Sequence, residues 1–463
     1  MPYAKHHLDR MSATLGFAEF LLARAAGGLT PAARQAAADL VCDGLAVAAL
    51  GADEPAPRHL AALAKASGGT AEATLIRQGA PRLSAAAAAR VNGAAMHVLD
   101  FEPMWNPANH SLSTTLPALL ALAEARGECD GARVLLALAA GIEAQARLRI
   151  ASGMFEPGQF TFHPPGMVGA IGSAVGAGVL LGLDAAKLAM AMGIAASRAG
   201  ALIGNVGSMT KCLHCGDAAA GGLEAALLAA QGFTADADAI GGPRGWGRAF
   251  AGGGFDVAAL TAPAPDWHIA SPGPAFKLYP SQYGTHFIIF AALDARRHWD
   301  GKCAIRRVAI TAPAMAYVNR PLPATGLAGK FSFQYTAAAA LLDGQVGVAS
   351  FADARRFAPD MEALLPRIDI IPDAAREGRF DRMRVDLVIE LEDGRALCGM
   401  CDGPPGIWGR PVAPAALQAK WHDCFSAAFG AEIGPALLRD TSALGGLDAA
   451  GLCRLMGSLA APD

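Results

Sequence analysis

From residue 12 to about residue 260 the apolar positions of this chain recur with a helical period, and alanine and glycine fill many of them. Small side chains let helices approach closely, whereas a β-sandwich needs branched side chains to cover its inner faces. Residues 12–25 place Leu15, Ala18, Leu22 and Ala25 on one face. Thr30-Pro31 opens a second helix with a capping hydroxyl followed by proline at the first helical position. That run passes through Ala38, Val41, Leu45 and Ala48 and stops at Gly51. Residues 117–126, 132–152, 184–199 and 216–231 repeat the period, with Gly127, Gly153, Gly200 and Gly232 as stop signals. No alternating pattern of strand type competes in this half.

The pattern changes near residue 261. Residues 262–274 carry four prolines and read as a crossover. Residues 306–318 and 381–391 alternate branched and polar side chains as strands do, and Glu392-Asp393-Gly394-Arg395 is a hairpin-type turn into residues 396–401. Residues 287–298 and 335–343 are helical between them, and after Pro404-Pro405 the tail, 415–459, returns to helix. The expected fold is therefore mainly α with a smaller α+β domain. Residues 1–268 and 405–463, from both ends of the chain, form a large all-helical domain, and residues 269–404 an inserted α+β lid.

Composition narrows the function classes. Of 463 residues, 53% are hydrophobic and 17% charged, which is ample for a core and excludes a disordered chain. A formal net charge of -3 gives no electrostatic case for nucleic acid or an anionic membrane as partner. The best candidate for a membrane span, residues 167–183, is interrupted by five glycines. The N-terminal run with Lys5, His6, His7, Asp9 and Arg10 lacks the order of a secretory signal. Nine cysteines without a dense pattern read as reduced thiols, so a cytoplasmic protein is expected.

Some motifs reduce to structure. Cys212/Cys215 and Cys398/Cys401 have the spacing of zinc or redox pairs, but they fall in different domains and the second lies beside a strand, so buried thiols are the better reading. Gly204-x-x-Gly207 and Gly252-Gly253-Gly254 do not follow a strand within a βαβ unit, so they are turns rather than phosphate loops.

Four polar clusters remain. HVLDFEPMWNPANHSLSTTLP (97–117) packs His97, Asp100, Glu102, Trp105, Asn106, Asn109 and His110 between two apolar helices. Burying so many polar groups is costly unless they satisfy one another or a ligand. FHPPG (162–166), SMTKCLH (208–214) and FKLYPSQYGTH (276–286) each stand before an apolar stretch. Three of the four bring His or Lys to a helix start, where unpaired N–H groups and the dipole favour anions. Three histidines and two lysines suit a small polycarboxylate: the cations hold it and imidazole moves a proton on the adjacent carbon. With no cofactor motif and no metal site in view, the chemistry is proton abstraction beside a carboxylate, followed by loss of water or carbon dioxide, or by reprotonation.

With these segments the sequence resembles the MmgE/PrpD family, which includes 2-methylcitrate dehydratase, cis-aconitate decarboxylase and iminodisuccinate epimerase. The likeness runs through VLDFEPMWNPANHSLSTTLPALLALA (98–123), residues 162–183, GSMTKCLHCGDAAAGGLEAALLAAQGFT (207–234), KLYPSQYGTH (277–286), Tyr317 to Pro321 and KFSFQY (330–335). It implies a cofactor-free homodimer acting on a small carboxylate in a cleft between helical domain and lid. By position, the family's acid matches Asp100, its histidines His110 and His163, its lysines Lys211 and Lys277, and its lid-strand tyrosine Tyr317. On this likeness His110 transfers the proton with His163 as partner, Asp100 holds His110 or water, and Lys211 and Lys277 bind carboxylates. Tyr317 donates to the substrate or the departing group, and Gln282, Met104 and His214 complete the substrate-binding set.

The chain departs from the family pattern at Met104, Asn106, Leu112 and Gln282, the last standing where the decarboxylases carry a histidine. These changes imply fewer carboxylates on the substrate, or an apolar substituent. The expected activity is a lyase, either dehydratase or decarboxylase, of a small di- or tricarboxylate. An epimerase or isomerase using the same bases is the alternative. A non-catalytic carboxylate-binding or dimeric interaction protein is a second one.

Overall fold

The computed structural model describes residues 12–156 and 160–461; the basic run at residues 5–10 lies outside them. The body is built from α1 (Ala13–Ala26), α2 (Pro31–Gly51), α3 (Pro55–Ser67), α4 (Ala85–Val98), α5 (Ser111–Arg126), α6 (Gly131–Ala151), α7 (Pro164–Leu181), α8 (Ala185–Ala196) and α9 (Thr210–Ala230). A short α10 (Trp246–Ala251) ends this half. The caps follow the sequence: Thr30 Oγ1 accepts from Ala33 N at 3.1 Å with Pro31 leading α2, and Asp184 Oδ1 accepts from Lys187 N at 2.8 Å.

α7 and α9 form the centre, packed on each other and on α4, α5 and α6. Glycines make that approach possible. A Cβ at Gly216 would run into the Arg90 carbonyl of α4, and one at Gly222 into the Ala170 carbonyl of α7. Among the described residues α7 is long and apolar enough to span a membrane, but 89% of it is buried inside the body.

Two helices differ from expectation. α5 begins at Ser111, six residues before Pro117, and holds that proline inside a buried helix; in its first turn Thr114 Oγ1 donates to Ser111 O (3.0 Å). α9 begins at Thr210 rather than residue 216, so Lys211, Cys212, His214 and Cys215 are helical. No zinc knuckle forms there.

The lid contains α11 (Tyr283–Arg296), α12 (Gly326–Gly329), α13 (Phe333–Asp343), α14 (Asp353–Arg356) and α15 (Pro359–Leu364) around one sheet. Its strands are β1 (Ile305–Ala312), β2 (Ile368–Pro372), β3 (Val385–Leu391) and β4 (Ala396–Cys401), in the order β2-β1-β3-β4. β1 runs parallel to β2 and antiparallel to β3, and β3–β4 is the expected hairpin. β1 stops six residues short of the expected end, just before Pro313, which has no N–H for a ladder. Tyr317 therefore sits on a single turn, Ala316–Val318, and not on a lid strand.

α16 (Pro414–Ser442) and α17 (Ala449–Ser458) return to the body, with Trp421 and Phe425 of α16 in the body's core. A second core belongs to the lid, with Phe287, Tyr335, Leu387 and Ile389 buried in it. Met104 joins that second core although its neighbours in sequence belong to the body. Its loop, residues 99–110, exchanges two backbone hydrogen bonds with Ala275 (3.1 and 2.7 Å) and so stitches body to lid.

Candidate active site

The site grows from the end of α4. Leu99 caps the helix and Asp100 takes a left-handed conformation (φ 53°), which Asp tolerates better than most residues. The Asp100 carboxylate meets two ammonium groups: Lys211 Nζ at 2.6 Å on Oδ2, and Lys277 Nζ on Oδ1. Burial works to raise the carboxyl, but Lys211 and then Lys277 outweigh it and hold Asp100 well below the usual range. Lys277 also donates to Asp100 O (2.9 Å) and Ser281 O (3.1 Å), so its three protons are all spent inside the protein. Among the described residues Lys211 makes one hydrogen bond, to Asp100, and lies 5.1 Å from the Phe331 ring, with donors left for a ligand.

Glu102, two residues on, points elsewhere. It is fully buried, and its Oε1 receives His97 Nδ1 at 2.5 Å and the Ser113 hydroxyl at 3.0 Å. His110 Nδ1 stands 3.2 Å from the same oxygen, within ion-pair reach but off the line of a full hydrogen bond. His110 Nε2 is 3.8 Å from Asp100 Oδ1. The expectation that Asp100 orients His110 is thus corrected: the lysines claim Asp100, and Glu102 stands at the imidazole. Burial raises the Glu102 carboxyl, but His97 and His110 beside it, whose ring N–H groups face its Oε1, bring it well below the usual range.

The imidazoles are neutral at rest. Burial lowers His97 to about 4 and also lowers His110; it lowers His163 further, helped by Lys211. His163 is the N-cap residue of α7, its N–H donating to Ala201 O at 2.8 Å and its Nδ1 lying 3.2 Å from His214 Nδ1. On the lid side Gln282 caps α11, its Oε1 accepting from Thr285 N (3.3 Å) while its Nε2 donates to Tyr317 Oη (2.8 Å).

A cleft open to solvent joins Asp100, His110, His163 and Lys211 of the body to Gln282 and Tyr317 of the lid. Met104, Phe160, Ile203, Val206 and Phe331 supply much of the rest of its wall, which is largely apolar. Two of the expected residues stand behind the wall rather than on it: Lys277 beneath Asp100 and His214 behind His163. Leu112 does not make the site apolar, because α5 turns it into the helical core, fully buried. Asn106 is likewise off the wall, beside Asp381.

Sequence reading gave no role to His97, Glu102 or Lys330. The first two lie in the polar loop already marked out. Lys330, in KFSFQY, is buried, which lowers it to about 7, and it donates to Leu99 O (2.9 Å) and Pro280 O (3.1 Å). His97, Glu102 and His110 also offer three metal-type ligand atoms within 4.8 Å of one another. The His97 Nδ1 contact to Glu102 Oε1 and the Ser113 bond to the same oxygen make the resident arrangement a hydrogen-bond cluster. All nine cysteines are free.

Histidines buried in neutral form give a prediction for stability. His97 titrates near 4 in the folded chain and near 6.5 when unfolded, so the unfolded state binds more protons between those values. Its contribution is complete above pH 6.5 and is lost as pH falls toward 4; His286, lowered by burial to about 3, acts in the same sense. Urea midpoints should fall already between pH 6.5 and 5, above the range in which carboxylates protonate. A midpoint constant down to pH 4.5 contradicts this.

A helical body, an α+β lid and an acid–imidazole–ammonium cluster on the cleft between them give the chain the form of a cleft enzyme. Residues 16–258 match the MmgE/PrpD N-terminal domain and residues 279–434 the MmgE/PrpD C-terminal domain, and the chain belongs to the MmgE/PrpD family. It is 35% identical over 344 residues to the cis-aconitate decarboxylase of Homo sapiens, covering 72% of this chain and 71% of that protein. The cis-aconitate decarboxylase of Mus musculus is 35% identical over 346 residues, at 72% and 70% coverage. A cis-aconitate decarboxylase-like protein, oryM, of Aspergillus oryzae is 27% identical over 387 residues, at 74% and 76%.

Proposed function

We propose that this chain is a cofactor-free lyase that decarboxylates a small unsaturated polycarboxylate of the cis-aconitate type. The observation that carries the reading is the meeting of Lys211, His110 and His163 on one cleft, in a chain similar over most of its length to cis-aconitate decarboxylases. Lys211 receives a substrate carboxylate. The C–C bond to the departing carboxylate breaks, carbon dioxide leaves, and the electron pair spreads over the allyl system toward a retained carboxylate. An imidazolium then gives its proton to the far alkene carbon.

The resting imidazoles are neutral, so the substrate supplies the charge that arms them. Two or three carboxylates entering the cleft raise the pKa of His110 and His163. His110 is the proton donor, with Glu102 stabilising its charged form at 3.2 Å.

A second reading, epimerisation, is favoured by two imidazoles on one cavity, with ring centroids 6.2 Å apart. Incubation with cis-aconitate, citrate, methylcitrate, tartrate and an iminodisuccinate analogue in deuterated water, followed by NMR, separates the two. Decarboxylation gives a product with one deuterium on the protonated carbon and loss of carbon dioxide. Deuterium in recovered substrate, with neither water nor carbon dioxide lost from any acid, supports epimerisation and overturns the lyase. No turnover of any acid, with binding retained, supports the binding protein.

A further inference from the structure

We propose that Gln282 is a positioning residue that makes Tyr317 an obligate hydrogen-bond donor into the cleft, so that the cleft selects a substrate presenting an acceptor oxygen at that wall. The proposal rests on the carboxylate-handling reading above and adds the polarity of one wall to it.

The argument follows the direction of each hydrogen bond. Gln282 is the N-cap residue of α11, and its Oε1 lies 3.3 Å from Thr285 N. That N–H is shared with Gln282 O at 3.0 Å, and because a backbone N–H only donates, the side-chain oxygen and not the NH₂ faces it. The NH₂ end is thereby turned to Tyr317 Oη at 2.8 Å. An amide nitrogen only donates, and Tyr317 Oη must accept. Its own proton then has to point away from Gln282. Among the described residues the structure gives Tyr317 Oη this one hydrogen bond, and both residues line the cleft.

The phenol proton is therefore directed at whatever occupies the cavity. Burial, and then the charge of Asp100, raise the phenol's pKa, so the proton is retained. A carboxylate or enolate-type oxygen is stabilised by such a donor, more as negative charge builds on it during bond breaking. A ligand presenting a donor at this wall meets two donors and only the remaining lone pair of a phenol oxygen that already accepts from Gln282. A histidine at this position, as in the decarboxylases of the family pattern, has no such fixed direction, because either ring nitrogen can carry the proton.

Gln282→Glu tests this. The carboxylate still accepts from Thr285 N, so the cap of α11 is kept, but it now accepts the Tyr317 proton and withdraws it from the cleft. Two measurements follow, on the full-length chain labelled with ¹³Cζ-tyrosine and with the Tyr317 signal assigned by Tyr317→Phe. In substrate-free protein, Gln282→Glu should move the Tyr317 Cζ resonance downfield. With cis-aconitate, kcat should fall about 100-fold with KM little changed, and Gln282→Glu should cost less than about twofold more in the Tyr317→Phe background.

An unmoved resonance, or an equal loss in both backgrounds, overturns the proposal. A purely structural cap role predicts that Gln282→Ala is damaging and Gln282→Glu harmless. If the wild-type chain turns over no acid, the proposed reaction falls, while the resonance still decides the polarity of Tyr317. Should Gln282→Glu fail to fold, Gln282→Met removes the donor, and its loss of activity must vanish in the Tyr317→Phe background.

Discussion

Replacing Asp100 with asparagine is expected to cost about 3–5 kcal/mol of stability, as when one partner of a buried ion pair is removed. The side chain keeps its size and loses its charge. Lys277 is then a fully buried ammonium whose remaining partners are backbone carbonyls, and Lys211 loses its 2.6 Å partner a short distance away. Burial already lowers the pKa of Lys277, and Asp100 is the main group opposing that. Without the carboxylate the chain relieves the two cations by releasing a proton from Lys277. Urea denaturation at several pH values checks this: the deficit of Asp100→Asn should shrink as pH rises and the lysine deprotonates. A deficit under about 1 kcal/mol at neutral pH would place the charge balance elsewhere.

His110→Ala should lower turnover of the accepted acid at least about 100-fold with the fold intact. The ring lines the cleft, and although His110 is the N-cap residue of α5 its side chain makes no capping hydrogen bond. Its removal leaves Glu102 Oε1 with His97 Nδ1 at 2.5 Å and Ser113 Oγ at 3.0 Å, so that oxygen keeps two partners. Loss of rate without loss of thermal stability is the signature of a proton-transfer group. A matched fall in melting temperature and rate would instead mark His110 as a structural residue. Retention of more than about a tenth of the rate would move the proton transfer to His163.

Much of the helical body was legible because caps and periods are local. Thr30-Pro31, Asp184 and the glycine stops carry their structural meaning within a few residues. The lid's edge was not legible: β2 is five residues long, IDIIP, and pairs with β1 across more than fifty positions of chain. Nothing near it in sequence announces a parallel partner. β1 was overrun for the opposite reason, since the alternation of Arg306 to Val318 continues past Pro313 although the ladder cannot.

In the site, the residue types were legible and their partners were not. Asp100 and Glu102 are two residues apart and both acidic, and pattern alone cannot say which faces the imidazole. The left-handed turn at Asp100 (φ 53°) sends the first carboxylate to the lysines and leaves the second to the histidines. Lys277 matches a family position but is saturated by internal acceptors that come together only in the folded chain. Leu112 failed likewise, since a helix begun six residues early rotates it inward.

Lys277 and Lys330 are encoded in the second half of the chain, yet their nitrogens are bonded to Asp100 and Leu99 of the first. A cut near residue 270 would strand two desolvated cations on one fragment and their counter-charge on the other. The halves that match two separate domain families are, in energetic terms, a single cooperative unit, and neither should be obtainable as a well-behaved fragment.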